Sequence, residues 1–134
     1  MSYTIINVEK INLDILMKIS NIFNLDKIET NYYENILEVY DSEHTDSNNN
    51  EKIVGVVNYC LIPSMKGQTR LFIRNLYFLD KNNFDNIIKS LCKYCTKNNL
   101  SIKTTFDNNK FDNECKKILY DNNFKGDDVL YYIN

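Results

Sequence analysis

The chain has 134 residues, with 43% hydrophobic and 25% charged residues and a net charge of −2. That length suits one domain, residues 1–134, that buries its core without disulfides or a metal. The charge excludes a generic nucleic-acid binder, which needs a basic surface to neutralise phosphates, although net charge does not report distribution and a local basic patch stays open. No apolar run approaches the roughly 20 residues that span a bilayer, so no membrane segment is expected.

The start, Met-Ser-Tyr-Thr-Ile-Ile-Asn, has neither the basic region nor the long apolar core of a secretory signal. The four cysteines fall on apolar patterns, as buried thiols in a reducing compartment do. A cytoplasmic protein is expected. Asn, Ile, Lys and Tyr are abundant beside 3 Gly, 1 Pro and no Trp. This usage suggests an AT-rich genome, as in some large DNA viruses, protists and low-GC bacteria; for a viral source the place would be host cytoplasm or virion. It also means that Asn can stand where other proteins use Gly, since it tolerates left-handed backbone.

Tyr3–Val8 reads as a first strand. Ile11, Ile15, Ile19, Ile22 and Phe23 then mark one helix face, with Asn12 able to cap its start. Leu25–Glu34 is ambiguous between a short helix and a loop. Ile36–Tyr40 predicts a strand leading into Asp41–Lys52, a polar stretch expected to form an exposed hairpin loop. His44, the only histidine, is expected to be solvated and idle there. Ile53–Ile62, rich in Val and Ile, predicts an interior strand covered on both faces. Gly55 inside it marks a bulge or a close backbone approach.

A turn at Pro63, Ser64, Lys66 and Gly67 precedes the apolar and aromatic strand Leu71–Leu79. Phe84, Ile87, Ile88, Leu91, Cys92 and Cys95 recur at helical spacing. Leu100–Phe106 alternates, a second helix pattern runs through Phe111, Cys115, Ile118 and Leu119, and Val129–Ile133 closes the chain. The order is β-α-(α)-β-β-β-α-β-α-β. It predicts an α/β protein with a mixed, mostly antiparallel sheet of the α+β kind, flanked by helices.

Over nearly the whole chain this order and these lengths resemble the GNAT superfamily of N-acetyltransferases. The late segment of that family carries an Asn, six residues, a Tyr, and then Gly-Phe opening the last strand. Here Asn113-Glu-Cys-Lys-Lys-Ile-Leu-Tyr120 has the Asn-to-Tyr spacing, and Asn122-Asn123-Phe124 follows one residue sooner than in the family pattern. Asn123 stands for the Gly, a tolerable exchange where φ is positive. The resemblance implies that Leu71–Leu79 and Phe84–Lys97 hold acetyl-coenzyme A. The backbone of Leu76, Tyr77 and Phe78 would pair with the pantetheine arm as an added strand does.

Backbone amides of Lys81, Asn82, Asn83, Phe84, Asp85 and Asn86 would cradle the pyrophosphate at a helix N-terminus, where orphan N–H groups and the helix dipole favour an anion. The family has a glycine-rich loop at this place; Asp80-Lys81-Asn82-Asn83-Phe84-Asp85-Asn86 has no Gly, with Lys81 as the basic residue and Asn82 or Asn83 in glycine-like geometry. Asn113 would bridge backbone or cofactor through its amide; its plainer role is a helix-surface or capping Asn. Tyr120 would protonate the departing thiolate, a phenol having a pKa close to that of a thiol; alternatively it is an amphipathic helix residue like the other tyrosines.

No general base stands out, leaving Asp80, Glu38 or a water relay. Cys92-x-x-Cys95 lies well inside its helix rather than at the N-terminus that activates a redox pair, and lacks the paired short spacings of a zinc site. Packing is the expected role, and no metal site is predicted. Lys89, Lys93 and Lys97 lie on the polar side of that helix, with Arg70, Lys103 and Lys110 nearby in sequence; most such charges form a solvated face, and some would meet an adenosine 3′-phosphate if coenzyme A binds. The implied activity is acetyl-CoA-dependent N-acetylation of a primary amine, on a small molecule or a protein, by direct attack on the thioester. The alternative is a non-catalytic GNAT-like domain acting as a protein-interaction module. The resemblance also allows a homodimer.

Overall fold

The computed structural model describes residues 3–24, 35–45, 51–63, 65, 67–105, 113–126 and 130–133. In chain order the elements are β1 (Tyr3–Val8), α1 (Leu13–Phe23), β2 (Asn35–Thr45), β3 (Glu51–Ile62) and β4 (Thr69–Phe78). There follow α2 (Lys81–Lys97), β5 (Leu100–Thr105), α3 (Asn113–Asp121), β6 (Lys125–Gly126) and β7 (Leu130–Ile133). They form one sheet in the order β1-β2-β3-β4-β5-β7-β6. Among the described residues only β4 and β5 run parallel, joined by the α2 crossover. The expected order is found, with the two-residue β6 added before the closing strand; Leu25–Glu34, Phe106, Phe111 and Val129 lie outside the described residues.

Helices cover both faces of the sheet. On one face Leu37, Val39, Val57, Leu71, Ile73, Leu76 and Phe78 pack under α2 and α3, against Phe84, Ile87, Ile88, Leu91, Cys115 and Leu119. On the other, Ile36, Ile53 and Val56 meet Ile19 and Phe23 of α1. Burial from both sides explains why β3 is apolar almost without alternation. Asn12 caps α1 as expected, its side chain accepting from the Ile15 N–H at 3.0 Å.

Gly55 fits both readings of its position. The β2–β3 register slips beside it, from Val39↔Gly55 to Tyr40↔Ile53. A Cβ at Gly55 would also come within 2.8 Å of Ile87 Cδ1, so its bareness lets α2 settle on the sheet.

The polar stretch Asp41–Lys52 differs from expectation. β2 continues to Thr45 and β3 starts at Glu51, with Asp41 paired to Tyr3 on one side and to Lys52 on the other. The ladder outruns the core, so its outer side chains are polar while its backbone is still strand. His44 consequently lies in β2, its Nδ1 2.7 Å from Oδ2 of the buried Asp41, rather than idle in a loop.

Among the described residues the non-glycine positions of positive φ are all asparagines: Asn24 at 53°, Asn99 at 56° and Asn123 at 70°. Asn123 thus has the geometry foreseen for it. Asn82 and Asn83 do not; they occupy the first turn of α2, because Asp80 caps the helix and right-handed backbone begins at Lys81.

Candidate functional site

The parallel pairing of β4 with β5 runs from Thr69↔Leu100 to Ile73↔Thr104 and stops. β4 continues to Phe78, still paired with β3 through Asn75↔Asn58, Leu76↔Val57, Tyr77↔Val56 and Phe78↔Gly55. Among the described residues no strand lies along its other edge beyond Ile73. β5 itself ends at Thr105, so among the described residues the edge of β4 from Arg74 to Phe78 stands open, a slot that begins at its apex at Ile73 and runs toward the start of α2. The β3–β4 register slips at that apex, Asn58 pairing with Asn75 but Tyr59 with Ile73, so that Arg74 is the extra residue of a β-bulge. A bulge increases local twist, here at the point where the pairing with β5 stops.

The slot wall is a backbone edge. Leu76 and Phe78 send their side chains into the core, Phe78 within 5.2 Å of the Phe84 ring, and Tyr77 packs against Phe23 at 6.3 Å on the opposite face. Phe84 is fully buried, which keeps its ring away from the mouth. What Leu76, Tyr77 and Phe78 offer to a guest is main-chain N–H and C=O, the groups that pair with an extended amide chain.

At the wide end the first turn of α2 is densely bonded. The Asp80 carboxylate accepts from the Asn82 N–H at 3.0 Å, and the Asn83 N–H donates to the Asp80 carbonyl at 2.9 Å. The amides of Asn82 and Asn83 are thus both taken by Asp80, while those of Phe84, Asp85 and Asn86 lie in the first hydrogen-bonded turn of a helix that starts at Lys81. Asn83 Nδ2 donates to the Tyr3 hydroxyl at 2.9 Å. Lys81 Nζ lies 3.9 Å from Glu114 Oε2 beside Asn113, the exposed first residue of α3. Asn86 lines an open groove of about 780 Å³ with Tyr3, Lys89, Ser90 and Lys93.

Asp85 accepts from Lys89 Nζ at 2.8 Å and from Asn122 Nδ2 at 3.1 Å, bonds that hold its carboxyl below the ordinary carboxylate range. Asn122 also donates to the Ile118 carbonyl at 2.8 Å. Its role in tying α3 to α2 has no signature in the sequence beyond an Asn at a helix end. Tyr120 sits in the last turn of α3, half exposed, and its hydroxyl donates to the Gly126 carbonyl at 3.4 Å. It is seven positions, about 10 Å of helix rise, from Asn113.

The candidate bases are both engaged. Glu38, buried under α1, accepts from Lys18 Nζ and from the Tyr40 hydroxyl, each at 3.2 Å. Burial works against the Lys18 charge, yet Glu38 and Tyr40 outweigh it and raise the ammonium pKa; burial and then Glu38 raise that of the Tyr40 phenol. Asp80 is the α2 cap. Burial pushes the Cys92 thiol up to about 11 and, with the neighbouring Cys92, that of Cys95 up to about 12, which suits packing rather than thiolate chemistry. Among the described residues no three of His, Cys, Asp or Glu gather as metal ligands.

No protein-family model matches the sequence, and no curated protein matches it. The structure is similar to solved N-acetyltransferases. NAA60 of Arabidopsis thaliana, in complex with acetyl-CoA, is 14% identical with a TM-score of 0.63, covering 97% of this chain and 99% of that one. YhhK from E. coli, bound to coenzyme A, is 13% identical with a TM-score of 0.61 and 98% coverage of both chains. Arabidopsis thaliana Naa50, in complex with the bisubstrate analogue CoA-Ac-MVNAL, is 17% identical with a TM-score of 0.57, covering 98% of this chain and 97% of that one.

Proposed function

From the GNAT fold that this chain shares with those enzymes, we propose that it is an acetyl-CoA-dependent N-acetyltransferase acting on a primary amine. The observation that carries the reading is the open β4 edge beyond its last pair with β5, a slot walled by the backbone of residues 74–78 and opening on a helix N-terminus. The pantetheine arm, with its two amides, fits such an edge, and its diphosphate would meet the first-turn amides of α2 beside Lys81. Acetyl-CoA supplies the activated acyl group. The chain orients it, with the thioester toward the apex of the slot.

The acceptor nitrogen forms the new C–N bond as the C–S bond breaks. Tyr120 donates the proton that the departing thiolate takes, after turning from the long bond it makes to Gly126. The amine proton leaves through water, since Glu38 and Asp80 are committed to other donors.

Calorimetric titration with acetyl-CoA tests the reading: micromolar binding, weakened several-fold by Lys81→Ala, with Tyr120→Phe lowering kcat about 10²-fold or more while binding is kept. No binding at millimolar acetyl-CoA overturns it. One observation favours the second reading, a protein-interaction module without catalysis. Asp80 already takes the Asn82 amide at the α2 N-terminus, and a diphosphate would have to displace that carboxylate. Absent cofactor binding would turn the search to a protein partner.

A further inference from the structure

We infer that the acceptor amine belongs to an acidic molecule, held on the face of β4 and β5 opposite α2 by Arg70, Arg74 and Lys103; this rests on the acetyltransferase reading above. Leu71, Ile73 and Ile102 all enter the core beneath α2. Alternation then turns Arg70, Phe72, Ser101 and Lys103 to the other face. The 3.5 Å bond from Arg70 Nε to Ser101 Oγ confirms that these neighbours share it. Arg74, the exposed bulge residue, follows at the next step of β4, where the bulge interrupts the alternation.

The register fixes the layout. Arg70, Phe72 and Arg74 follow one another at about 6.6 Å along β4, and Lys103 is directly beside Phe72, about 4.8 Å across the sheet. Arg70 and Lys103 therefore flank a half-buried phenyl ring on this face, and the exposed Arg74 follows at the apex of the slot. β4, β5 and residues 56–62 of β3 contain no Asp or Glu. In a chain of net charge −2 this is a local inversion of sign.

The place matters because a cofactor with its diphosphate at the wide end directs its thioester to the apex, where Arg74 stands. An amine arriving there crosses the cationic face. Carboxylates or phosphates on the same molecule would be attracted, and a polycationic amine would be repelled. The cations also disfavour the ammonium form of the bound amine. They thereby help supply the neutral nucleophile that the committed Glu38 and Asp80 do not generate.

The test is acetylation of matched short peptides whose residues after the amino terminus are acidic, neutral or lysine-rich, with free glutamate as a small acidic acceptor. A few-fold per exposed ion pair gives the acidic peptide an advantage of about tenfold in kcat/KM over the neutral one. The advantage should lie mainly in KM and shrink as salt rises from 0.05 to 0.5 M. Arg74→Glu and Lys103→Glu should each bring the ratio toward one, with thermal melts verifying the fold. Glutamate acetylated as well as the acidic peptide would identify the acceptor as a small molecule rather than a peptide.

Equal kcat/KM across the series overturns the proposal, as does an RNA oligonucleotide that displaces a labelled acidic peptide at lower concentration than the unlabelled peptide does. Anisotropy of that labelled peptide reads the face without catalysis. An acidic peptide that binds without acetyl transfer, to a protein that takes up no acetyl-CoA, sinks the enzyme reading and leaves the cationic face as an acidic-partner surface.

Discussion

The two halves of β4 have the same apolar character and opposite surroundings. From Arg70 to Ile73 the strand has β3 on one edge and β5 on the other; from Asn75 to Phe78 it keeps β3 and has no β5 partner. The first half is ordinary sheet interior, paired on both edges. The second keeps Leu76 and Phe78 in the core and offers an edge of main chain, the arrangement that accepts an extended guest. A single extra residue, Arg74, separates them. Site and scaffold here are thus consecutive segments of one strand, and what distinguishes them is which neighbour stays.

The largest effect should come from the closed half. Leu71 is fully buried between β3, β5 and α2, and Leu71→Ala should cost about 2–5 kcal/mol in urea unfolding. A loss under 1 kcal/mol would mean that the closed half is not the rigid member of the pair.

A smaller effect is expected where α2 seats on the open half. In Gly55→Ala the new methyl would meet Ile87 Cδ1 at 2.8 Å and the Tyr77 carbonyl at 3.3 Å, at a cost of about 1–2 kcal/mol. Adding Ile87→Val, which removes the colliding carbon, should return most of that stability. No recovery in the double variant would place the strain in the β4 backbone instead.

The smallest effect is a pH dependence in the C-terminal turns of α2, where Cys92 and Cys95 lie beside Leu100 and Ile102. Their folded pKa values, about 11 and about 12, stand above the ordinary thiol value of 9.0. The unfolded chain therefore releases these protons first. Their contribution to stability is whole below pH 9 and falls as pH rises toward 12. Urea midpoints should decline between pH 8 and 10.5, and less so in Cys92→Ala; a flat profile would refute the burial of these thiols.

Much of the fold was legible because its signals are local. Phe84, Ile87, Ile88, Leu91 and Cys95 announce α2 by spacing, and β3 announces double burial by its run of Val and Ile. Asn123 was legible as a glycine substitute from its place before Phe124. Asn82 and Asn83 were misjudged because the helix start is decided by the cap, and Asp80 set it one residue ahead of them. The polar end of β2 was hidden because a strand beyond the core carries no apolar alternation. The slot itself has no local signature. It arises from where β5 stops pairing and from a bulge at Arg74, and both are relations between distant segments.

The two bonds that α3 makes to the first turn of α2, Lys81 with Glu114 and Asp85 with Asn122, act as cross-braces on either side of that turn. A braced wall cannot be the hinge. Widening of the slot to admit a bulky guest is then expected on the side away from these braces, toward β5 and β7. Substitutions along that outer pair would then change how fast a guest arrives and departs, with little effect on how tightly it sits.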